Sequence, residues 1–366
     1  MNILITSWFF ASRSGAELHA FELGLALIKQ GHRVGIYAIF PGRLADQARA
    51  RGLEVSGDLN AFAFVPDIIH GHHQGALADA MLAFPSVPAI FVVHNATSPD
   101  DEPIILPRIR RYVAVDRRCL NRIAAHSEIP AALQSIRYNF VDVARFKPRA
   151  ALPTAPRKAL VFSNYANSKT HLPAIAAACD AAGLTLDVVG DGMGSGSDEP
   201  EKILSSYDIV FAKARCAIEA MAAGTAVILC DFSGLGEMVT PENYDDLRDW
   251  NFGAGRLTRP LDAGLIGKEI ARFDAAKSMA VSARMRAEGD LEKAVLEWEQ
   301  LYREILREGP QERWPDDRKI WRRIQRDWRS EKFLYAFIGF ARQACDFPHG
   351  DKIYALGRAA FRAVRG

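Results

Sequence analysis

The sequence predicts an α/β protein made of two doubly wound domains. Short apolar runs alternate with helical patterns in both halves of the chain, and a Pro/Ala-rich stretch from Lys147 to Arg157 separates the halves. Strands that alternate with helices imply parallel sheets covered on both faces. A chain of 366 residues is also longer than a single hydrophobic core usually organises. We therefore expect an N-terminal domain over 1–147, a second domain over 148–290, and helices over 291–366 that pack back on the first domain.

The strands of each half are predicted from apolar runs bounded by turn residues. In the first half the runs are Asn2–Ser7, Arg33–Ile39, Asp67–His70, Ala89–His94 and Tyr112–Val115. In the second half they are Ala159–Ser163, Leu184–Val189, Ile209–Ala212 and Ala226–Cys230. Between the first two strands, Leu18, Phe21, Leu25 and Ile28 recur at helical spacing before Gly31, which predicts the first helix.

Composition limits the function classes. A net charge of +2 argues against bulk nucleic-acid binding as the main role. Five scattered cysteines without CxxC spacing predict reduced thiols in a cytoplasmic protein. The opening MNILITSWFF lacks a basic flank, so we expect a first strand rather than a signal peptide. No apolar run approaches the roughly 20 residues that span a bilayer.

The most informative segment covers residues 208–237. It predicts a buried strand, a basic loop with Lys213 and Arg215, a small-residue helix carrying Glu219, a second strand, and a Gly-rich polar turn from Asp231 to Glu237 that includes Gly234. Ligands bind at the carboxyl edge of open parallel sheets. A carboxylate such as Glu219 suits vicinal ribose hydroxyls, and Glu237 suits sugar hydroxyls. A solvated surface role for Glu219 is the alternative.

Three further residues follow predicted strands. Gly15 opens the first helix, where free amides attract phosphate, but a tight turn explains this glycine equally well. Lys169 would neutralise a diphosphate or serve as an exposed cation at a helix start. Gly190 would allow close backbone approach to a base or ribose, although turn glycines are common. The GxGxxG pattern of a dinucleotide site is missing.

Histidines cluster after two strands of the first half. His70, His72 and His73 stand in DIIHGHH, and His94 with Asn95 follows AIFVVHN. No carboxylate or cysteine completes a metal-ligand set, so the sequence favours neither a metal nor any other cofactor. For His94 we expect a polar lining role or a sugar contact, with a hydrogen-bonded structural histidine as the alternative.

The last part of the chain has a different character. Residues 311–366 contain 13 Lys/Arg against 7 Asp/Glu, and Trp314, Trp321 and Trp328 recur every seven residues. This pattern is typical of an amphipathic extension docked on the body, or of a helix lying on an anionic membrane surface. The second interpretation predicts peripheral contact through 311–340 with the inner face of the membrane.

Taken in order, these pieces resemble the retaining glycosyltransferases of the two-domain GT-B fold, in particular glycosyltransferase family four. SGAE and the helix ending LIKQGHRV look like the first βαβ unit of that family. YNFVDVARFKP is similar to its interdomain signature at Asn139, Val141, Asp142, Phe146 and Pro148. IEAMAAGTAVILCDFSGLGEMV resembles its E-A-M-A stretch followed by G-G-x-x-E. The resemblance covers about 1–305.

The resemblance assigns roles residue by residue. Glu219 would hold the donor ribose, Lys169 would neutralise the diphosphate, and His94 would lie near the transferred sugar. Gly15 would approach the phosphates, and Glu237 lies just past the loop near the donor sugar. The chain departs from the family pattern at several positions. Phe211 stands where an earlier glutamate is usual, Ser163 and Asn164 occupy the region of an expected arginine, and Phe140 replaces the linker glycine.

These residues predict transfer of a sugar from a nucleoside diphosphate sugar to an acceptor hydroxyl, without a bound metal. Lys213 or Arg215 would supply the missing positive charge. The acceptor would be a cell-surface glycan or a lipid-linked sugar, and retention of configuration is implied by the resemblance alone. A sugar-nucleotide epimerase and a non-catalytic nucleotide-sugar-binding protein are the alternatives. The base, the sugar, the linkage and the oligomeric state are not encoded in these motifs.

Overall fold

The computed structural model describes residues 1–309, and the chain divides into two compact units. One unit comprises Met1–Val93, Thr97–Tyr112 and the described chain from Tyr302 onwards. The other comprises His94–Ala96 and Val113–Leu301. Each unit is organised around a sheet with helices between its strands, as the alternating sequence pattern predicts.

The first sheet has seven strands in the order β3-β2-β1-β4-β5-β6-β7. Strands β3, β2, β1, β4 and β5 pair in parallel. The strands are β1 (Asn2–Phe10), β2 (Arg33–Pro41), β3 (Glu54–Ser56), β4 (Ile68–His72), β5 (Ala89–Val93), β6 (Ile109–Ala114) and β7 (Gln134–Ile136). The helices in this region are α1 (Gly15–Lys29), α2 (Arg43–Ala50), α3 (Gln74–Ala83) and α4 (Arg117–Ala124).

The second sheet has five strands in the order β12-β11-β10-β8-β9. They are β8 (Lys158–Phe162), β9 (Thr185–Val189), β10 (Ile209–Ala212), β11 (Ala226–Asp231) and β12 (Gly234–Met238). All neighbours are parallel except β11 and β12. The helices are α5 (Leu172–Ala181), α6 (Ala214–Ala222), α7 (Tyr244–Asp249), α8 (Ala263–Ile270), α9 (Ala275–Glu288) and α10 (Leu291–Arg307).

The second sheet is covered on both faces because its central strands are apolar at every position. In β10, Val210 and Ala212 join a core that includes Met221 of α6 and Met285 of α9. Ile209 and Phe211 belong to a second core on the opposite face. Alternate residues of a strand point to opposite faces, so an unbroken apolar run supplies both cores.

All nine predicted strands are present, with ends that differ by no more than three residues. The prediction of a polar turn from Asp231 to Glu237 is wrong, because Gly234–Met238 forms the edge strand β12. Gly234 has a φ of +151°, and a Cβ there would lie 2.6 Å from the carbonyl oxygen of Leu257. The glycine therefore permits close backbone packing at the start of a strand. The short strands β3 and β7 were not predicted.

Within residues 1–309, no helix is both long and apolar enough to cross a membrane. The predicted membrane contact through 311–340, including Trp314, Trp321 and Trp328, lies outside the described residues.

Candidate active site

The candidate site lies at the carboxyl edge of the five-stranded sheet. The order in which strands are added to the sheet switches sides at β8, because β9 lies on one side of β8 and β10 on the other. Ligands of open α/β sheets bind at such a switch point, outside the carboxyl ends of the strands. The segments that follow β8, β9, β10 and β11 meet at this edge and supply the side chains described below.

Lys213 is the only residue between β10 and α6, and it contacts groups from two other loops. Its ammonium group pairs with the carboxylate of Asp231, whose side chain is completely buried at the end of β11. Its Nζ also lies 5.3 Å from the ring centroid of Tyr165 and 5.2 Å from that of Phe232. The side chain of Lys213 stays 25% exposed, so the cation is fixed in position and still reaches solvent.

The two rings beside Lys213 form an exposed aromatic pair. Tyr165 follows β8 and Phe232 follows β11, and their centroids lie 5.3 Å apart with planes at 62°. Tyr165 is 56% exposed and Phe232 is 51% exposed, which leaves ring surface open to a ligand. Neither aromatic residue was predicted as a site residue. The available signal was that each stands in a loop directly after a strand of the predicted ligand edge.

His171 is a third residue of this edge that was not predicted from the sequence. It lies directly before α5 and is fully buried. Among the described residues, neither of its ring nitrogens has a hydrogen-bond partner. Burial lowers the pKa of His171; the Asp231 carboxylate opposes this shift, and the Lys213 ammonium adds to it. A buried imidazole without a partner is unusual in a folded protein and is often explained by a ligand or water.

Glu219 and Arg215 are paired with each other on α6. Arg215 Nε donates to Glu219 Oε1 at 2.8 Å, and the two side chains are only 7% and 4% exposed. The sequence predicted both as donor-binding residues, and the structure brings them together as a buried ion pair. A ribose hydroxyl at Glu219 would therefore add to the Arg215 contact or replace it.

The start of α6 has an unusual backbone. Ala214, Asn251 and Phe252 all have positive φ values, of 48°, 51° and 51°. The amide of Ala214 donates to the carbonyl oxygen of Phe252 at 2.7 Å. Non-glycine residues with positive φ carry a conformational cost and concentrate at functional sites. The segment around Phe252 thus fixes the helix start directly after Lys213.

Glu237 is not brought together with Lys213 and Asp231. Strand β12 runs antiparallel to β11 from Asp231↔Gly234 to Ile228↔Met238, so Glu237 lies toward the amino end of β11. Its carboxylate accepts from the Asn243 side chain at 2.9 Å. Glu237 also lines a surface pocket of about 470 Å³ with Arg272 and Lys277.

Lys169 and Gly190 lie in neighbouring loops of the same edge. Lys169 is exposed, and its backbone amide donates to Asn167 Oδ1 at 2.9 Å. Gly190 has a φ of +156°, and a Cβ there would lie 2.1 Å from the carbonyl oxygen of Ser163. Close packing between the loops after β8 and β9 is therefore already sufficient to require glycine at this position.

The comparisons with known proteins agree with this architecture. Residues 13–145 match the model of Glycosyltransferase Family 4. No curated protein sequence matches the chain. HepE of Anabaena, solved with UDP, is 14% identical with a TM-score of 0.61, and the match covers 82% of this chain and 99% of HepE. The chain has the GT-B fold, and its similarity to family 4 extends over residues 13–145.

Two further solved glycosyltransferases share this fold. The enzyme from Rickettsia africae is 14% identical with a TM-score of 0.59, over 84% of this chain and 99% of its own. AviGT4, which is involved in avilamycin A biosynthesis, is 17% identical with a TM-score of 0.52, over 85% and 99%. At these identities the likeness concerns the fold.

The segment that resembles the interdomain signature is held by backbone hydrogen bonds within the second unit. Val141 exchanges backbone hydrogen bonds with Gly289 and Leu291, at the junction of α9 and α10. Asp142 Oδ1 accepts from two following backbone amides at 3.1 Å. Phe140, which replaces the usual glycine, is 1% exposed.

Phe211, the residue at the position of the usual upstream glutamate, lies inside β10 and is fully buried. Because Phe211 packs in one of the two cores of the second sheet, a carboxylate at this position would be buried among apolar side chains.

Gly15 and His94 follow β1 and β5. Gly15 is exposed at the first position of α1, and a Cβ there would meet no atom within 4 Å. The fold itself therefore does not require glycine at this position. His94 is half-buried directly after β5, where it interacts with other groups of the protein.

Proposed function

We propose that the chain transfers a sugar from a nucleoside diphosphate sugar to a hydroxyl group of a glycan or lipid-linked acceptor, with retention of configuration. HepE, which has a similar fold, was crystallised with UDP and with UDP-glucose. The proposed donor is therefore a uridine diphosphate sugar. The bond from the anomeric carbon to the diphosphate breaks, the acceptor oxygen bonds to that carbon, and the hydroxyl proton is released.

The placement of Lys213 carries this proposal. When the donor bond breaks, negative charge develops on the departing diphosphate, and a fixed cation stabilises that charge with little reorganisation. Asp231 holds the ammonium group at the switch point before the donor arrives. The exposed Lys169, in the loop after β8, would add a second positive charge at the same edge.

The aromatic pair gives the donor a surface for stacking. Base–aromatic stacking contributes about 1–3 kcal/mol per base, and the rings of Tyr165 and Phe232 are about half exposed. We propose that one of these rings stacks on the nucleobase while the diphosphate reaches Lys213. His171, buried near Asp231 and Lys213, would then donate or accept a hydrogen bond with the bound donor.

A binding experiment tests the site. UDP and UDP-glucose are titrated into the full chain by calorimetry, and the Lys213→Met variant is compared with Lys158→Met. Lys158 is exposed at the amino end of β8 and serves as the matched control. Losing a charge-assisted hydrogen bond of about 1.5–3 kcal/mol should weaken binding roughly 10- to 100-fold. Equal affinities in the two variants would remove Lys213 from the site.

A turnover experiment tests the reaction. The protein is incubated with UDP-glucose in the presence and absence of glycan acceptors, and free UDP and glycoside are measured by chromatography. Release of UDP should depend on the acceptor, and nuclear magnetic resonance of the product should give the donor's anomeric configuration. An epimerised donor formed without acceptor would replace the transferase proposal by the epimerase alternative.

A further inference from the structure

Three buried histidines converge in the first unit, apart from the candidate active site. His70 and His72 lie on β4 and His19 lies on α1, and all three side chains are fully buried. One ligand atom from each lies within 4.8 Å of the other two. His70 and His72 share a face of the strand because alternate residues point the same way.

The rings are arranged as a compact group. The centroids of His70 and His72 are 4.7 Å apart with planes at 27°. The ring of His19 lies 5.5 Å from His72 and 6.4 Å from His70. A neutral imidazole is the form that coordinates a metal ion.

We propose that His19, His70 and His72 form a binding site for a divalent transition-metal ion of the Zn²⁺ class. Three histidines with a fourth position for water are an established zinc ligand set. Zn–N bonds of about 2.0–2.1 Å place tetrahedral ligand nitrogens roughly 3.4 Å apart. Because the ligand atoms lie within 4.8 Å of one another, they would approach by at most about 1.4 Å when the ion binds.

Tyr302 of α10 is positioned to orient one ligand. Its hydroxyl lies 2.6 Å from His70 Nδ1. When His70 Nδ1–H donates to this oxygen, Nε2 is the nitrogen that coordinates the ion, an arrangement typical of groups that support metal ligands. The neighbouring His73 is separate from the cluster, because its Nδ1 accepts a hydrogen bond from the backbone amide of Trp8 at 3.1 Å.

The ion would link elements of the first unit. It would join α1 to β4 directly, and α10 through Tyr302, so its binding should stabilise the first unit without taking part in sugar transfer. This distinguishes the proposal from the function of the site around Lys213, and either proposal can fail without the other.

The test uses untagged, full-length protein after metal removal with a chelator. Co²⁺ serves as the visible probe and Zn²⁺ as its competitor. We expect one Co²⁺ per chain with a tetrahedral absorption band, displacement by Zn²⁺, and a rise in Tm of about 5 °C or more at saturating Zn²⁺. No absorption band and no change in Tm for the wild-type protein would overturn the proposal.

Variants assign the ion to the cluster. His19→Gln and His72→Gln should abolish the band, whereas His126→Gln, outside the cluster, should retain it. Tyr302→Phe should keep one ion per chain with an affinity roughly 10- to 100-fold lower. Circular dichroism checks that each variant folds, and if His72→Gln does not, His19→Gln and Tyr302→Phe carry the test. Zn²⁺ affinities equal to that of His126→Gln would overturn the assignment.

Discussion

Both cations that follow β10 are neutralised by buried carboxylates. Arg215 and Glu219 are four residues apart on α6, which is the spacing of side-chain neighbours on a helix, so this pair was within reach of sequence reasoning. Lys213 and Asp231 are brought together only when β10 and β11 pair in the sheet. A partner of this kind depends on strand order, which local sequence patterns do not encode.

Glu219 contributes to stability as well as to any role in donor binding. We expect Glu219→Ala to lower the free energy of unfolding by about 3–5 kcal/mol, because Arg215 would lose its carboxylate in a buried environment. Urea unfolding measures this change. The double variant Arg215→Leu/Glu219→Leu should recover part of the loss. If Glu219→Ala is as stable as the wild type, the ion pair is not a stabilising contact. In that case a change in donor affinity reports the ribose contact directly, because the fold is unchanged.

Two glycines predicted to approach the donor differ in what the fold requires. Gly190→Ala should destabilise the protein by about 3 kcal/mol, because the new Cβ overlaps the Ser163 carbonyl and φ is unfavourable. Gly15→Ala should leave stability unchanged or slightly raised, since nothing lies within 4 Å of its Cβ. Thermal unfolding of the two variants side by side measures the difference, and equal losses would contradict this account.

At the scale of elements, apolar runs predicted the buried strands because burial on two faces leaves a strong signal. The edge strand β12 gave no such signal. Its sequence, GLGEM, has glycines at the first and third positions that indicate a turn, and only pairing with β11 makes it a strand. A Cβ at Gly236 would lie 2.7 Å from Leu229 Cβ, so the glycine permits close approach of the two strands.

Helix α9 secures the linker signature through one side chain. Arg286 donates to the carbonyl oxygens of Val143 at 2.8 Å and Ala222 at 3.1 Å, and also to that of Phe146. We expect Arg286→Ala to lower the free energy of unfolding by about 3 kcal/mol, because three carbonyl groups lose a charged donor.

Arg284→Ala is the matched control for Arg286→Ala. Arg284 lies on the same helix, but its ion pairs with Asp245 and Glu288 are at the surface, so its removal should cost no more than about 1 kcal/mol. Equal losses for the two variants in urea unfolding would contradict a specific role of Arg286.

For the whole molecule, the sequence predicted two α/β units because alternating strands and helices are a long-range pattern that many residues share. The prediction that helices over 291–366 pack back on the first domain did not name the side chains that attach the end of α10. Tyr302 and Glu308 contact His70 and β6 within the first unit, through single side chains separated by about 200 residues in sequence. Such contacts leave no periodic signal. The same holds for the candidate site. The sequence motifs identified its loops and cations, whereas the contacts of the aromatic pair, His171 and Asp231 were found only in the structure.

The contact of Glu308 with Arg110 and Arg111 should make global stability sensitive to acid. Burial opposes ionisation of Glu308, but hydrogen bonds from Arg111 and Arg110 outweigh it and lower its pKa. A lowered pKa in the folded state stabilises the protein above the unfolded pKa of about 4.3, and this contribution is lost as pH falls through the folded pKa. Glu308→Gln should therefore be less stable by about 1 kcal/mol at neutral pH. The difference from wild type should shrink below about pH 4. Urea unfolding across this pH range measures the difference in free energy of unfolding, and Glu292→Gln at an exposed position of α10 is the control. A difference that does not depend on pH would show that the charge of Glu308 does not cause it.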